Sequence, residues 1–138
     1  MQLHHYAVPS AESFLVKRDR RRVNHVDRDQ GLTYWFRMNN NYEKENSILS
    51  RLPMMKEELA KLMSDPEIAA AHEHSVACHR AKIDELKATE NYSKFFEELT
   101  SERQEKLARL HLHFGSNVFL SGPTVVPDEI VAKEIEDE

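Results

Sequence analysis

The stretch that decides the fold runs from residue 64 to residue 88 and reads SDPEIAAAHEHSVACHRAKIDELKA. It opens with a helix-start signal, because the Asp65 carboxylate can accept hydrogen bonds from free backbone N–H groups and Pro66 suits the first helical position. Mostly apolar side chains and histidines then recur every three or four residues, at Ala69, His72, Val76, His79, Ile83 and Leu86. This spacing predicts one long helix over residues 66–88 with a single face turned towards a core.

Two further stripes with helical spacing flank this segment. The upstream stripe consists of Ile48, Leu52, Met55, Leu59 and Leu62, and the downstream stripe of Phe96, Leu99, Arg103, Leu107, Leu110 and Phe114. They predict helices over residues 42–64 and 92–114, and they place Leu59 and Leu107, together with Ile83, in the core. Pro53 falls inside the first helix and predicts a kink or a junction of two helices near Leu52. A capping-box pattern at Ser101 to Gln104 indicates a kink or restart in the third helix.

Residues 32–38 follow a different period. Leu32, Tyr34, Phe36 and Met38 alternate with Thr33, Trp35 and Arg37, which is typical of a strand with one apolar face. Turn-forming residues precede this run at positions 27–31. The pattern predicts a β-hairpin that pairs residues 20–26 with 32–38 and turns Trp35 outwards.

The fold class that follows is mainly α. We expect a three-helix antiparallel bundle, with an N-terminal extended segment or β-hairpin packed on it and a short C-terminal helix starting near Pro127. A length of 138 residues fits a single domain. We divide that domain into a basic N-terminal segment (1–41), the helical bundle (42–116) and a C-terminal segment with an acidic tail (117–138).

Several function classes are disfavoured by what the sequence contains. Its three glycines, Gly31, Gly115 and Gly122, are too scattered to form a phosphate-binding loop. There is no G-x-S-x-G motif, and Val76 occupies the position where an H-E-x-x-H zinc motif starting at His72 needs its second histidine. No apolar run approaches the ~20 residues of a membrane helix, and the single cysteine fits a reducing compartment. We therefore expect a cytoplasmic protein that is not an enzyme, needs no cofactor and does not bind a membrane.

The charge distribution indicates a binding segment near the N-terminus. Residues 1–41 contain seven Lys and Arg against four acids, whereas residues 128–138 contain six acids and one lysine. The candidate partner-binding side chains are the cations of this segment with one aromatic ring: Lys17, Arg18, Arg20, Arg21, Arg22, Arg28, Trp35 and Arg37. They suit contact with an acidic protein surface, and they also suit contact with nucleic acid phosphates and bases.

The histidines of the central helix allow two interpretations. His74 and Cys78 are four residues apart on one helix face and could hold a metal ion with two further ligands, such as His111 and His113. Alternatively, His72 and His79 are hydrogen-bonded interior residues and no metal binds. We adopt the second interpretation as the prediction.

By exclusion, the expected function is that of a small accessory or regulatory protein that binds another macromolecule, with a protein partner favoured. Inhibitors and adaptors carried by viruses or mobile elements often have such a composition. A nucleic-acid-binding protein that uses residues 17–37 is the alternative, and a metal-binding protein that uses residues 72–79 is the third. The sequence leaves the oligomeric state open.

Overall fold

The computed structural model describes residues 7–20, 31–41 and 46–132. These residues are mainly helical and include no strand, which confirms the predicted mainly α class. The α-helices are α1 (Ala11–Arg20), α2 (Leu32–Met38), α3 (Leu52–Met63), α4 (Pro66–Lys87), α5 (Glu90–Leu99), α6 (Glu102–Arg109), α7 (Ser116–Ser121) and α8 (Asp128–Val131). Short 3-10 turns span Ser47–Arg51, Leu110–His113 and Pro123–Val125. None of the helices in this part of the chain is long and apolar enough to cross a membrane.

Helix α4 forms where the sequence predicts it. The Asp65 side chain accepts hydrogen bonds from the backbone N–H groups of Glu67 (2.9 Å) and Ile68 (3.3 Å), and Pro66 occupies the first helical position. At the other end, the Thr89 hydroxyl donates to the carbonyl of Leu86 at 2.7 Å. These side-chain bonds satisfy backbone groups that a helix end leaves unpaired, and they fix both ends of α4.

The predicted third helix over residues 92–114 is wrong as a single unit, because the chain breaks it at Thr100 and Ser101. The Thr100 hydroxyl donates to the carbonyl of Phe96 (2.9 Å), and the Ser101 hydroxyl donates to that of Glu98 (2.8 Å). The Ser101 oxygen also accepts from the N–H of Gln104 at 3.4 Å, so the predicted cap starts α6. Hydroxyl side chains here take over hydrogen bonds that a continuous helix would make through its backbone.

Two predicted ion pairs stabilise α6. Lys106 pairs with Glu102 at 2.8 Å and lowers the pKa of that carboxyl, and Arg109 pairs with Glu105. Both pairs are exposed and four residues apart, so each contributes a few tenths of a kcal/mol.

The β-hairpin prediction is wrong for residues 32–38, which form helix α2. Its other half, residues 20–26, lies outside the described residues except for Arg20, the last residue of α1. The helix buries both Trp35 and Phe36, which are 6% and 2% exposed. A strand would direct these neighbouring rings to opposite faces, whereas a helix separates them by about 100° and lets both enter the core.

The core consists of two adjoining clusters, and α2 contributes to each. Trp35 packs with residues of α1, α4 and α5, namely Phe14, Leu15, Leu86, Phe95 and Leu99. Phe36 packs with residues of α6 and the C-terminal segment, namely Leu107, Val126 and Val131. The predicted core position of Leu107 is therefore confirmed. Ile83 is only half-buried.

The predicted first helix differs most from the structure. Residues 42–45 lie outside the described residues, residues 47–51 form a 3-10 turn, and α3 begins at Leu52. Pro53 therefore lies in the first helical turn, where its missing N–H breaks no hydrogen bond. Of the two predicted alternatives, the structure shows the junction near Leu52, between the 3-10 turn and α3, and not the kink. Leu59 is 45% exposed, so its predicted core position is wrong.

Helix α3 and the N-terminal part of α4 form a hairpin that contributes no residue to either core cluster. Only Ser64 and Asp65 connect them, and they pack on each other. The C-terminal part of α4 then packs on α1 and α5. The described residues thus do not form the predicted three-helix bundle, because α3 pairs with α4 rather than joining a common core.

Candidate protein-binding surface

The predicted binding residue Lys17 is engaged within the protein. Its ammonium group donates to the carbonyl of Ala7 at 2.7 Å and to the hydroxyl of Tyr34 at 3.1 Å. It also lies 4.9 Å from the centroid of the Tyr34 ring. These contacts hold α1 against α2, so the charge of Lys17 stabilises the fold.

Arg18 is engaged in a similar way on the other side of α1. Its guanidinium carbon lies 3.9 Å from the centroid of the Phe95 ring on α5. The neighbouring Asp19 accepts from the hydroxyl of Tyr92 at 3.1 Å and pairs with Lys82 at 3.2 Å. Glu85 and Asp19 together raise the pKa of Lys82. Part of the positive charge that was predicted to bind a partner therefore makes contacts between helices of the same chain.

The remaining predicted binding residues include exposed positions, a buried one and three that the structure does not describe. Arg20 and Arg37 are exposed, but Trp35 is buried, contrary to the prediction that it points outwards. Arg21, Arg22 and Arg28 lie outside the described residues. The described part of the predicted arm thus offers two exposed arginines and no exposed tryptophan.

The histidines of α4 are exposed to solvent. Sγ of Cys78 lies 3.5 Å from Nε2 of His74, as expected for residues four apart. Among the described residues, no group of three or more His, Cys, Asp or Glu side chains is arranged to hold a metal ion. His72 and His79 are exposed, so their predicted interior position is wrong, although Nε2 of His79 lies within hydrogen-bond distance (3.2 Å) of Oγ of Ser13 on α1.

The buried imidazole belongs to His111 instead. Its Nε2 donates to the carbonyl of Phe36 at 2.8 Å, and its ring lies 4.4 Å from the centroid of the Phe119 ring. This hydrogen bond joins the 3-10 turn after α6 to α2, and it accounts for a polar ring inside the second cluster.

The α3–α4 hairpin and the 3-10 turn before it carry most of the large apolar side chains that the described residues expose. Of eleven such side chains, seven lie between residues 48 and 68, each 41–57% exposed. We call them the hairpin surface: Ile48, Leu49, Met54, Met55, Leu59, Leu62 and Ile68. Single exposed apolar residues are common in proteins, whereas larger exposed apolar patches are typical of binding sites.

The sequence explains why this hairpin cannot bury its own apolar side chains. The first half of α4 is rich in alanines and histidines, and its larger apolar residues are Ile68 and Val76. Such small side chains cover little of a leucine and methionine stripe. On α3 itself, Glu58 and Glu57 pair with Lys61 at 2.7 and 3.1 Å and raise the pKa of that lysine.

A second apolar feature lies at the C-terminal end of the described chain. A cleft of about 520 Å³ opens between α7, α8 and the 3-10 turns, lined by Leu110, His113, Phe114, Val118, Val126 and Ile130, among others. It adjoins the second core cluster, and it offers few polar groups that could orient a ligand.

Comparison of the chain with protein-family models, with curated proteins and with solved structures finds no match. The hairpin surface was missed at the sequence level, although its stripe was recognised. The signal that could have found it is the lack of large apolar residues on α4 to pack against that stripe.

Proposed function

We propose that the protein is a non-catalytic binding protein that docks on a protein partner through the hairpin surface. The single observation that carries the proposal is the set of seven half-exposed apolar side chains on one hairpin that packs little against the core. Burial of such side chains against a partner removes apolar area from water, which is the main driving force of most protein association. An accessory or regulatory role, as an adaptor or inhibitor, is what such a surface serves.

A protein partner is favoured over nucleic acid by the character of the surface. Nucleic acid binding draws its affinity from cations that contact phosphates. Lys17 and Arg18 contact the protein's own groups, Trp35 is buried, and the hairpin surface is apolar. The nucleic-acid alternative is left with Arg20 and Arg37 among the described residues of the basic segment.

Affinity capture from the native host tests this proposal. The tagged wild-type chain is compared with Leu59→Lys, on the hairpin surface, and with Leu120→Lys, a matched control at an exposed leucine on α7. Each capture is run with and without nuclease. We expect wild type and control to retain a protein partner in stoichiometric amount, and Leu59→Lys to lose it. An untagged second copy of this chain counts as such a partner.

Two results would contradict the proposal. Retention of the same protein by Leu59→Lys would show that the hairpin surface does not bind it. Loss of capture after nuclease treatment would support the nucleic-acid alternative instead.

A further inference from the structure

The spacing of the apolar residues in the stripe of α3 is the same when it is counted from either end of the helix. Leu52, Met55, Leu59 and Leu62 are separated by three, four and three residues. An antiparallel copy of the same helix, centred on Glu57, therefore places each Leu52 opposite a Leu62 and each Met55 opposite a Leu59. Each residue of the stripe then contacts an apolar side chain of the other copy. A two-fold interface needs such a self-complementary surface, because both copies contribute the same residues to it.

The stripe is open to such a copy. Met55, Leu59 and Leu62 are 53%, 45% and 54% exposed, and Leu52 is half-buried. The 3-10 turn before α3 extends the apolar surface with Ile48, and the start of α4 extends it with Ile68. Both residues are about two-fifths exposed, at 41% and 43%.

The charges at the two ends of the hairpin complement each other in the same arrangement. The closed end of the hairpin, where Ser64 and Asp65 connect the two helices, carries Asp65 and Glu67, with no Lys or Arg between residues 62 and 71. The open end carries Arg51, with no Asp or Glu between residues 46 and 52, and Arg80 lies on the facing part of α4. Antiparallel pairing brings the acidic end of each copy towards the basic end of the other, whereas parallel pairing brings like charges together.

The centre of the helix does not oppose this pairing. Glu57 lies two residues, or about 200° of helical rotation, from both Met55 and Leu59, so it is on the side away from the stripe. Glu57 and Glu58 are both paired with Lys61 of their own helix, which offsets their negative charge.

We infer that the occupant of the hairpin surface is a second copy of this chain, packed antiparallel on α3 about a two-fold axis that crosses the paired stripes at the level of Glu57. The two hairpins then form a four-helix bundle around the paired stripes. This inference rests on the proposed function, since it takes the hairpin surface as a docking site and names the partner.

Sedimentation velocity of the purified full-length chain tests the inference over concentrations on the order of 1–100 µM, where a dimer of moderate affinity dissociates and forms. Wild type and Leu120→Lys should form a dimer. Leu59→Lys should raise the dissociation constant by about tenfold or more, because the dimer would bury an unpaired ammonium group. Far-UV circular dichroism confirms that both variants remain folded, as expected for exposed positions.

A charge exchange tests the antiparallel geometry. Arg51→Glu alone and Glu67→Lys alone should each weaken the dimer at low salt, because each places like charges at both ends of the bundle. The double variant Arg51→Glu/Glu67→Lys should restore the wild-type dissociation constant. Weakening by the single changes without restoration in the double variant would overturn the antiparallel arrangement.

The outcomes separate the two proposals. A chain that stays monomeric over the whole concentration range overturns the inference. If Leu59→Lys then still abolishes capture of a different protein from the host, the proposed function stands. If the chain is monomeric and the variant changes no capture, both proposals fail.

Discussion

At Gly122 the backbone of the C-terminal segment lies close to α2. Its φ of +92° lies in the region that side-chain-bearing residues rarely adopt. A Cβ at this position would lie 2.5 Å from Oγ1 of Thr33 on α2. Backbone conformation and space therefore both require glycine here.

Gly122→Ala should lower the free energy of unfolding by about 1–3 kcal/mol, because the methyl group is strained at positive φ and crowds Thr33. Urea denaturation measures this change. Thr33→Ala is the control, since Thr33 is exposed and its loss alone should have little effect. The double variant should recover part of the loss, and no recovery would show that Thr33 does not cause the crowding.

Two leucines from equivalent stripes should respond differently to truncation. Leu107 is fully buried and Leu59 is 45% exposed. Leu107→Ala should cost about 2–5 kcal/mol of stability, whereas Leu59→Ala should cost less than about 1 kcal/mol. Thermal unfolding at low concentration, where copies do not pair, measures both. Equal losses would mean that α3 packs on the core.

At the scale of the helices, local signals predicted α4 best. Asp65, Pro66 and the apolar spacing define it through contacts within a few residues, and the structure keeps its bounds to within one residue of the prediction. The cap of α6 at Ser101 and its ion pairs are local in the same sense.

Elements that depend on distant contacts were predicted poorly. The alternation in residues 32–38 resembles a strand, and only the two clusters that receive Trp35 and Phe36 select the helix. The contacts of the basic segment are also distant, since charge alone does not reveal that Arg18, a predicted binding residue, lies on the Phe95 ring of its own chain. The α3 stripe predicts burial, but periodicity does not say whether a neighbouring helix has large enough side chains to provide it.

The cap of α4 can be tested directly. Asp65→Ala should lower stability by about 0.5–2 kcal/mol, because the N–H groups of Glu67 and Ile68 lose their acceptor. Asp65→Asn should retain most of the stability, since the amide oxygen can accept the same bonds. Thermal melts measure both variants. An equal loss in the two would assign the effect to the negative charge rather than to the hydrogen bonds.

At the scale of the whole molecule, α2 joins the two core clusters through adjacent side chains. Trp35 belongs to one cluster and Phe36 to the other. Two clusters joined by neighbouring residues of one helix should not unfold independently.

Trp35 provides a measurement of this coupling, because it is the single tryptophan and is 6% exposed. Its fluorescence reports the first cluster, whereas far-UV circular dichroism reports all helices. We expect the two signals to give the same unfolding midpoint in urea. Two separated midpoints would show that the clusters are independent units.

Helix α4 also fixes where anything bound to the hairpin is held. Its 22 residues span about 33 Å without interruption, from the closed end of the hairpin to the first core cluster. The hairpin is therefore attached to the rest of the molecule by a rigid rod and not by a hinge. One residue inserted at the middle of α4 would rotate the hairpin by about 100° about the helix axis. Seven inserted residues would lengthen α4 by about 10 Å and leave the orientation of the hairpin nearly unchanged. The length and phase of one helix thus set both the distance and the direction at which the hairpin projects from the rest of the molecule.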